Sequence, residues 1–114
     1  MNLTEMSTIA YYHLPVIIVI FNNGTLGMVR QWQTLFFGKR YSQTTLDRGP
    51  DFIKLADAYG ISSARVNEIE EFKKAFETAL EAGEPYLIEC KLDIDEMVAP
   101  MVAPGSPIDS FCLN

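Results

Sequence analysis

Two asparagines and a glycine, Asn22-Asn23-Gly24, lie between a run of β-branched residues and a helical pattern. Asparagine side chains and loop carbonyls are hard oxygen donors, which suit Mg²⁺ or Ca²⁺ and do not suit zinc. The helix that begins near Leu26 would direct its N-terminal amides and its positive dipole to the same place, so a diphosphate could bind there together with the ion. The same residues also form ordinary turns, because both types tolerate left-handed backbone geometry. The local sequence leaves both interpretations open.

A stretch without acidic residues surrounds this segment. No Asp or Glu occurs from Met6 to Leu46, a stretch that contains His13, Arg30, Lys39 and Arg40. The whole chain has 9 Lys and Arg against 15 Asp and Glu, a formal charge of −6, which argues against a general nucleic-acid binder. A basic stretch within an acidic chain indicates either an anionic ligand or an acidic neighbour or partner subunit.

Residues of the usual catalytic types are few. His13 has no acidic or nucleophilic neighbour in the sequence and is interpreted as structural, and Cys90, in an apolar run, as an inert core thiol. Trp32 suits either a core position or the mouth of a pocket on its helix. The sequence contains no catalytic triad, Cys–His cluster or glycine-rich phosphate loop, so we predict no catalytic acid, base or nucleophile.

The elements that must position these residues alternate between helices and short apolar strands. Helical spacing covers residues 2–12, 26–37, 52–59 and 68–82, and strand patterns cover 16–21, 61–66 and 86–92. Asp51 is the predicted cap of the third helix, and the predicted apolar face of the fourth consists of Ile69, Phe72, Phe76 and Leu80. The uninterrupted apolar run 16–21 is typical of a strand buried on both faces at the centre of a parallel sheet. This order predicts an α/β fold with a parallel sheet in three layers. Because the chain starts on a helix, we expect the first strand or strands of that fold to be missing.

The 114 residues predict a partial diphosphate-binding α/β domain over 1–92 and a proline-containing C-terminal arm over 93–114. A content of 48% hydrophobic and 21% charged residues is ordinary for a globular protein. No apolar run approaches the roughly 18 residues of a membrane span. Two cysteines cannot form a disulfide framework, which favours a reduced, cytoplasmic compartment.

Beyond these patterns, the sequence resembles a known family. The stretch 21–23, followed by Gly27-Met28-Val29-Arg30-Gln31-Trp32, is similar to the C-terminal, thiamine-diphosphate-binding domain of the catalytic (large) subunit of acetolactate (acetohydroxyacid) synthase. The likeness continues through 40–42, 50–56, 58–60 and 85–89 into the arm, so it covers essentially the whole chain. The Asn-Asn pair alone is a weak signal, whereas Gly-Met-Val-x-Gln-Trp is specific.

The resemblance implies thiamine diphosphate and Mg²⁺ as cofactors. Asn23 matches the asparagine whose side-chain oxygen binds Mg²⁺, and Thr25 matches the position that gives the same ion a backbone carbonyl. Gly27 and Met28 match positions near the cofactor, and Met1 would lie close to it.

The resemblance also implies a reaction. The parent enzyme condenses two pyruvates, or pyruvate and 2-ketobutyrate, with decarboxylation, in the biosynthesis of valine, leucine and isoleucine. Val29 and Trp32 match positions of the substrate channel, where the tryptophan favours 2-ketobutyrate as acceptor, and the arm matches one that folds over the active site. FAD would bind outside this chain. The implied partners are further copies of the parent, in a dimer or tetramer, and the family allows a regulatory small subunit; no nucleic acid and no membrane is implied.

The sequence departs from the family pattern at its start. Only 21 residues precede Asn22, so the family's Gly-Asp-Gly, which carries the other metal ligand, is absent. We therefore expect a fragment of the synthase that is inactive in isolation. The alternatives are a fragment of another thiamine-diphosphate enzyme, of the pyruvate oxidase or glyoxylate carboligase type, and a stand-alone binding module without catalysis.

Overall fold

The structure, a computed structural model, describes residues 2–112; Met1, predicted near the cofactor, lies outside them. Helices and strands alternate along the described chain in the order α1 (Glu5–Tyr11), β1 (Ile17–Asn22), α2 (Gly27–Phe36), α3 (Phe52–Ala58), β2 (Ser62–Val66), α4 (Ile69–Ala82), β3 (Tyr86–Lys91), β4 (Met101–Val102) and β5 (Phe111–Cys112). The predicted helices and long strands are thus confirmed to within a few residues at each end.

Strands β1, β3 and β2 form a parallel sheet in that order. The expectation that residues 16–21 form the central strand is wrong for the described chain, because β3 lies between the other two strands. Burial agrees with this order: Leu87 and Ile88 of β3 are 1% and 0% exposed, whereas Phe21 of β1 is 72% exposed. An uninterrupted apolar run shows that a strand contacts apolar groups, but it does not show how many strands flank it.

Side chains of the sheet alternate between two apolar layers. One layer joins α1 and α3 to the sheet through the buried residues Met6, Ala56, Ile61 and Leu87. The opposite layer joins α4 to the sheet through Val66, Ile88 and Cys90, with Phe72 and Ala75 packed against them. The three-layer α/β prediction is therefore confirmed. Burial raises the pKa of the Cys90 thiol, as expected for a core cysteine.

Two helices differ in how well the sequence predicted their details. Asp51 caps α3 as predicted, because its carboxylate accepts hydrogen bonds from the amides of Ile53 and Lys54. In α4 the predicted apolar face is only partly buried: Ile69 and Leu80 are 64% and 60% exposed, while Ala79 is 2% exposed. Small alanine side chains allow this helix to approach the sheet closely, and the larger side chains flank the contact.

The chain divides into two compact units. The sheet unit comprises Met1–Asn22 and Arg48–Leu92, and the α2 unit comprises Asn23–Asp47 and Asp93–Asn114. In the α2 unit the arm forms a short antiparallel pair between β4 and β5 that the sequence did not predict. The domain boundary at residue 92 stays a prediction. None of the helices within residues 2–112 is both long and apolar enough to cross a membrane.

Candidate functional site

The Asn-Asn-Gly segment ends in a turn that holds the side chain of Asn23 in place. The Asn23 Oδ1 atom accepts a hydrogen bond of 3.2 Å from the Thr25 amide, and Gly24 has a positive φ of 66°. Gly27, the first residue of α2, lies against the same side chain: a Cβ atom there would come within 2.7 Å of Asn23 Nδ2. A glycine is therefore required at position 27 for Asn23 to keep this orientation.

A β-bridge between Thr25 and Thr45 ties the turn to the loop that follows α2. Its two flanking backbone hydrogen bonds, each 2.8 Å long, run from Leu26 N to Thr44 O and from Leu46 N to Gly24 O. Thr25 and Thr45 are thus a non-hydrogen-bonded pair, so the bridge does not use the Thr25 carbonyl. The Thr25 hydroxyl donates a further bond of 2.7 Å to Thr44 O.

The donor set of this turn fits a hard divalent cation. Asn23 supplies a carboxamide oxygen and Thr25 a backbone carbonyl, which are ligands that Mg²⁺ accepts alongside phosphate and water oxygens. Residues 2–112 contain no group of three or more His, Cys, Asp and Glu side chains arranged to hold a metal ion.

Helix α2 exposes its apolar side instead of burying it. Trp32 is 41% exposed and packs edge to face on Phe36, with ring centroids 5.7 Å apart. An open cavity of about 470 Å³ is lined by Met28, Val29, Trp32, Gln33, Phe37 and Arg40. The structure thus places Trp32 at a cavity together with Val29 and Met28, and the roles that the resemblance implies for these residues stay predictions.

The buried residue of α2 is a glutamine that sequence reasoning missed. Gln31 is 5% exposed, and its carboxamide bonds the backbone of Val98 in the arm. No local pattern marks this residue, because a glutamine among alternating polar and apolar residues is typical of a solvated helix face. The burial of Gln31 depends instead on the distant segment that contains Val98, whose backbone groups it bonds.

Two basic residues of the stretch 6–46 pair with acidic residues elsewhere in the chain. Arg30 Nε donates a 2.7 Å hydrogen bond to Asp95, which holds the pKa of that carboxyl below its usual range, and the guanidinium lies 3.9 Å from the Tyr41 ring centroid. His13 pairs with Glu84 at 3.0 Å. Within residues 2–112, Arg40 makes no ion pair; its Nε donates to the Phe37 carbonyl, also in the α2 unit.

The sheet unit contains a buried carboxylate at the carboxyl ends of its strands. Glu89 is 2% exposed and accepts hydrogen bonds of 2.6 Å from Asn22 Nδ2 and 2.7 Å from Arg65 Nε. Arg65 also donates to Asp51 at 2.9 Å. These bonds give Asn22 a structural role inside the sheet unit. A charged residue inside the apolar run 86–90 was the available signal for this network.

Comparison with known proteins gives consistent results. Residues 1–90 match the family described as "Thiamine pyrophosphate enzyme, C-terminal TPP binding domain". The chain is 46% identical over 111 residues to a probable acetolactate synthase large subunit of Methanocaldococcus jannaschii, covering 97% of this chain and 19% of that protein. It is 44% identical over 106 residues to the acetolactate synthase isozyme 2 large subunit of Escherichia coli K12, covering 93% of this chain and 19% of that protein.

One solved structure is also similar. A thiamine diphosphate-dependent 4-hydroxybenzoylformate decarboxylase of Rhodococcus jostii RHA1 superposes with a TM-score of 0.72 at 35% identity, covering 82% of this chain and 18% of that chain. The chain thus spans about a fifth of the length of the relatives it matches.

Thr25, a member of the bridge, and Thr44, whose carbonyl accepts one of the flanking hydrogen bonds, give a matched test of this geometry. Thr44 is 2% exposed, and its hydroxyl has no partner among residues 2–112. We predict that Thr44→Val leaves the bridge unchanged or stabilises it by up to about 1 kcal/mol, whereas Thr25→Val, which removes a hydrogen bond, destabilises it by about 0.5–1.5 kcal/mol. Hydrogen exchange of the Leu26 and Leu46 amides in the full-length protein measures both effects. Equal destabilisation by the two variants would contradict the geometry.

Proposed function

The chain belongs to the thiamine pyrophosphate enzymes, as their C-terminal TPP-binding domain, and from this premise we propose that it is part of an acetolactate synthase large subunit. The whole enzyme would condense two pyruvates, or pyruvate and 2-ketobutyrate, with loss of carbon dioxide, for branched-chain amino-acid biosynthesis. The observation that carries the proposal is the identity of about 45% to acetolactate synthase large subunits along nearly the whole chain. The family resemblance drawn from the sequence motifs is thereby confirmed.

The turn at the start of α2 would hold Mg²⁺ and, through it, the diphosphate. Asn23 Oδ1 and the Thr25 carbonyl would ligate the ion, with the remaining positions filled by oxygens from outside the described chain. Two features support this role: Gly27 leaves the space that the Asn23 side chain occupies, and the β-bridge fixes Thr25 without using its carbonyl. The amides at the start of α2 would add a favourable field for the diphosphate.

The chain's contribution would be binding and orientation. Bound thiamine diphosphate supplies the electron sink for decarboxylation and for carbon–carbon bond formation. Gly27 and Met28 would border the cofactor at the first turn of α2. Val29, in the same turn, and Trp32, one turn beyond Met28, would form the apolar wall that receives the acceptor keto acid. An apolar wall excludes water, a proton donor that would otherwise compete with the acceptor keto acid for the nucleophilic carbon.

Acceptor choice would depend on the Trp32 wall. The two acceptors, pyruvate and 2-ketobutyrate, differ by one methylene, and an apolar pocket distinguishes such ligands by about 1–3 kcal/mol. The partly exposed ring of Trp32 offers the flat apolar surface that this discrimination needs.

The remaining features of the proposal extend beyond this chain. FAD would bind to another part of the enzyme, and the enzyme would work as a homo-oligomer, with a regulatory small subunit as a further partner.

The buried, unpaired Cys90 thiol supports a reduced, cytoplasmic compartment.

The activity itself is the first test. The full-length protein, supplied with pyruvate, thiamine diphosphate and Mg²⁺, is expected to release carbon dioxide and form acetolactate, measured by product analysis. Because the chain is also similar to the structure of a decarboxylase, a decarboxylase is the specific alternative to exclude. Carbon dioxide with acetaldehyde and no acetolactate would assign the chain to a decarboxylase instead.

Removal of the Asn23 carboxamide tests the metal site. In the full-length protein we predict that Asn23→Ala weakens Mg²⁺-dependent binding of thiamine diphosphate by about tenfold or more, because a metal ligand contributes at least as much as a hydrogen bond to a charged group. Calorimetry at several Mg²⁺ concentrations measures this. The control is Asn67→Ala, an exposed asparagine of the sheet unit, which should bind like the wild type. Wild-type binding by Asn23→Ala would remove Asn23 from the site.

Replacement of Trp32 tests the acceptor pocket. We predict that Trp32→Leu lowers the preference for 2-ketobutyrate over pyruvate by about tenfold, because the wall that contacts the additional methylene is removed. The ratio of the two products, with both acceptors present, gives the preference. Phe36→Leu serves as the control, because it removes the ring packed on Trp32 but not a cavity wall. A product ratio that moves equally in both variants would show that Trp32 acts only through packing.

A further inference from the structure

The Gln31 carboxamide makes an unusually complete set of contacts with one residue of the arm. Its Nε2 donates to the Val98 carbonyl at 2.8 Å, and its Oε1 accepts from the Val98 amide at 2.9 Å. The same Nε2 lies 3.3 Å from the Met101 sulfur. The carboxamide therefore satisfies both backbone groups of Val98, as a neighbouring strand would, and it does so while 5% exposed.

A second bond strengthens the same contact. Arg30, the preceding residue of α2, bonds Asp95 of the arm at 2.7 Å. Successive helical residues are 100° apart, which places Arg30 and Gln31 on the side of α2 opposite the residues that line the cavity. Val29 and Trp32 thus face the cavity while the arm holds the helix from behind.

We propose that Gln31 is a positioning residue that fixes the arm to the back of α2 and thereby sets the position of Trp32 in the acceptor pocket. The proposal rests on the proposed function. Among the described residues of the α2 unit the apolar side of α2 is open, so packing inside this unit does not fix the rotation of the helix. Directional hydrogen bonds on the opposite side do fix it, because a rotation of α2 would break both bonds to Val98.

The chemistry of the contact explains the need for glutamine. Glutamate has the same shape but no donor, so its carboxylate would face the Val98 carbonyl without a hydrogen bond. Methionine has a similar length and neither group, so both backbone groups of Val98 would lose their partner. Asparagine keeps donor and acceptor but is one methylene shorter. These three substitutions separate the effects of shape, donor and reach.

The experiment uses the full-length protein with 5-fluorotryptophan incorporated and Trp32→Phe to assign the fluorine resonance of Trp32. Gln31→Glu and Gln31→Met are compared with Gln43→Glu, which makes the same chemical change at an exposed glutamine of the α2 unit. Three quantities are measured: hydrogen exchange of residues 95–102, the ¹⁹F shift of Trp32, and the ratio of 2-ketobutyrate to pyruvate products.

Both Gln31 variants are expected to exchange residues 95–102 about tenfold faster, as for one or two lost hydrogen bonds, and to move the Trp32 resonance and the product ratio. Gln43→Glu should change none of these. Unchanged exchange would overturn the clamp, and faster exchange with an unmoved Trp32 resonance would overturn the positioning role. If Gln31→Met does not fold, Gln31→Glu and Gln31→Asn carry the same test. A wild type that forms no acetohydroxy acid would refute the proposed function, while exchange and the ¹⁹F shift would still decide the role of Gln31.

Discussion

Helix α2 is held by hydrogen bonds between its side chains and irregular segments, and the candidate site depends on this constraint. Gln31 bonds both backbone groups of Val98, and Gln33 bonds both backbone groups of Ser42 in the loop that follows the helix, at 3.3 and 3.4 Å. Such bonds are directional, so they fix the rotation of the helix without covering its apolar side. If the apolar side chains of α2 were packed in a core, they would be covered. Here Trp32 and its neighbours remain available to a ligand.

The two units of the chain stabilise themselves by different means. The sheet unit has two apolar layers, in which Leu87 and Ile88 of the middle strand point to opposite faces. Among the described residues of this unit, the one buried charge is that of Glu89. Its carboxylate accepts hydrogen bonds from Arg65 and Asn22 at the carboxyl ends of the strands. The α2 unit has little apolar packing and relies on hydrogen bonds between side chains and backbone. The residues proposed to contact ligands are found in this second unit, where apolar surface is left exposed.

Local signals allowed much of the fold to be predicted. Periodicity located the helices and strands, and Asp51 was recognisable as a cap because its carboxylate acts on amides only two and three residues away. Long-range pairing was not accessible in this way. The central position of β3 depends on which strands meet, and the burial of Gln31 depends on a backbone 67 residues away. For Trp32 on α2 the sequence left a core position and a pocket mouth as alternatives, because periodicity reports an apolar side without reporting what covers it.

The candidate metal site could be predicted from the sequence only in part. Residue type suggested oxygen donors in the Asn-Asn-Gly segment, the family resemblance assigned the ligands to Asn23 and Thr25, and the structure adds the geometry of the turn. The most direct test is a crystal structure of the full-length protein with thiamine diphosphate and Mn²⁺ in place of Mg²⁺, in which anomalous scattering locates the ion. The proposed site predicts an ion within about 2.2 Å of both the Asn23 Oδ1 and the Thr25 carbonyl oxygen. An ion bound to the diphosphate but out of reach of both oxygens would contradict it.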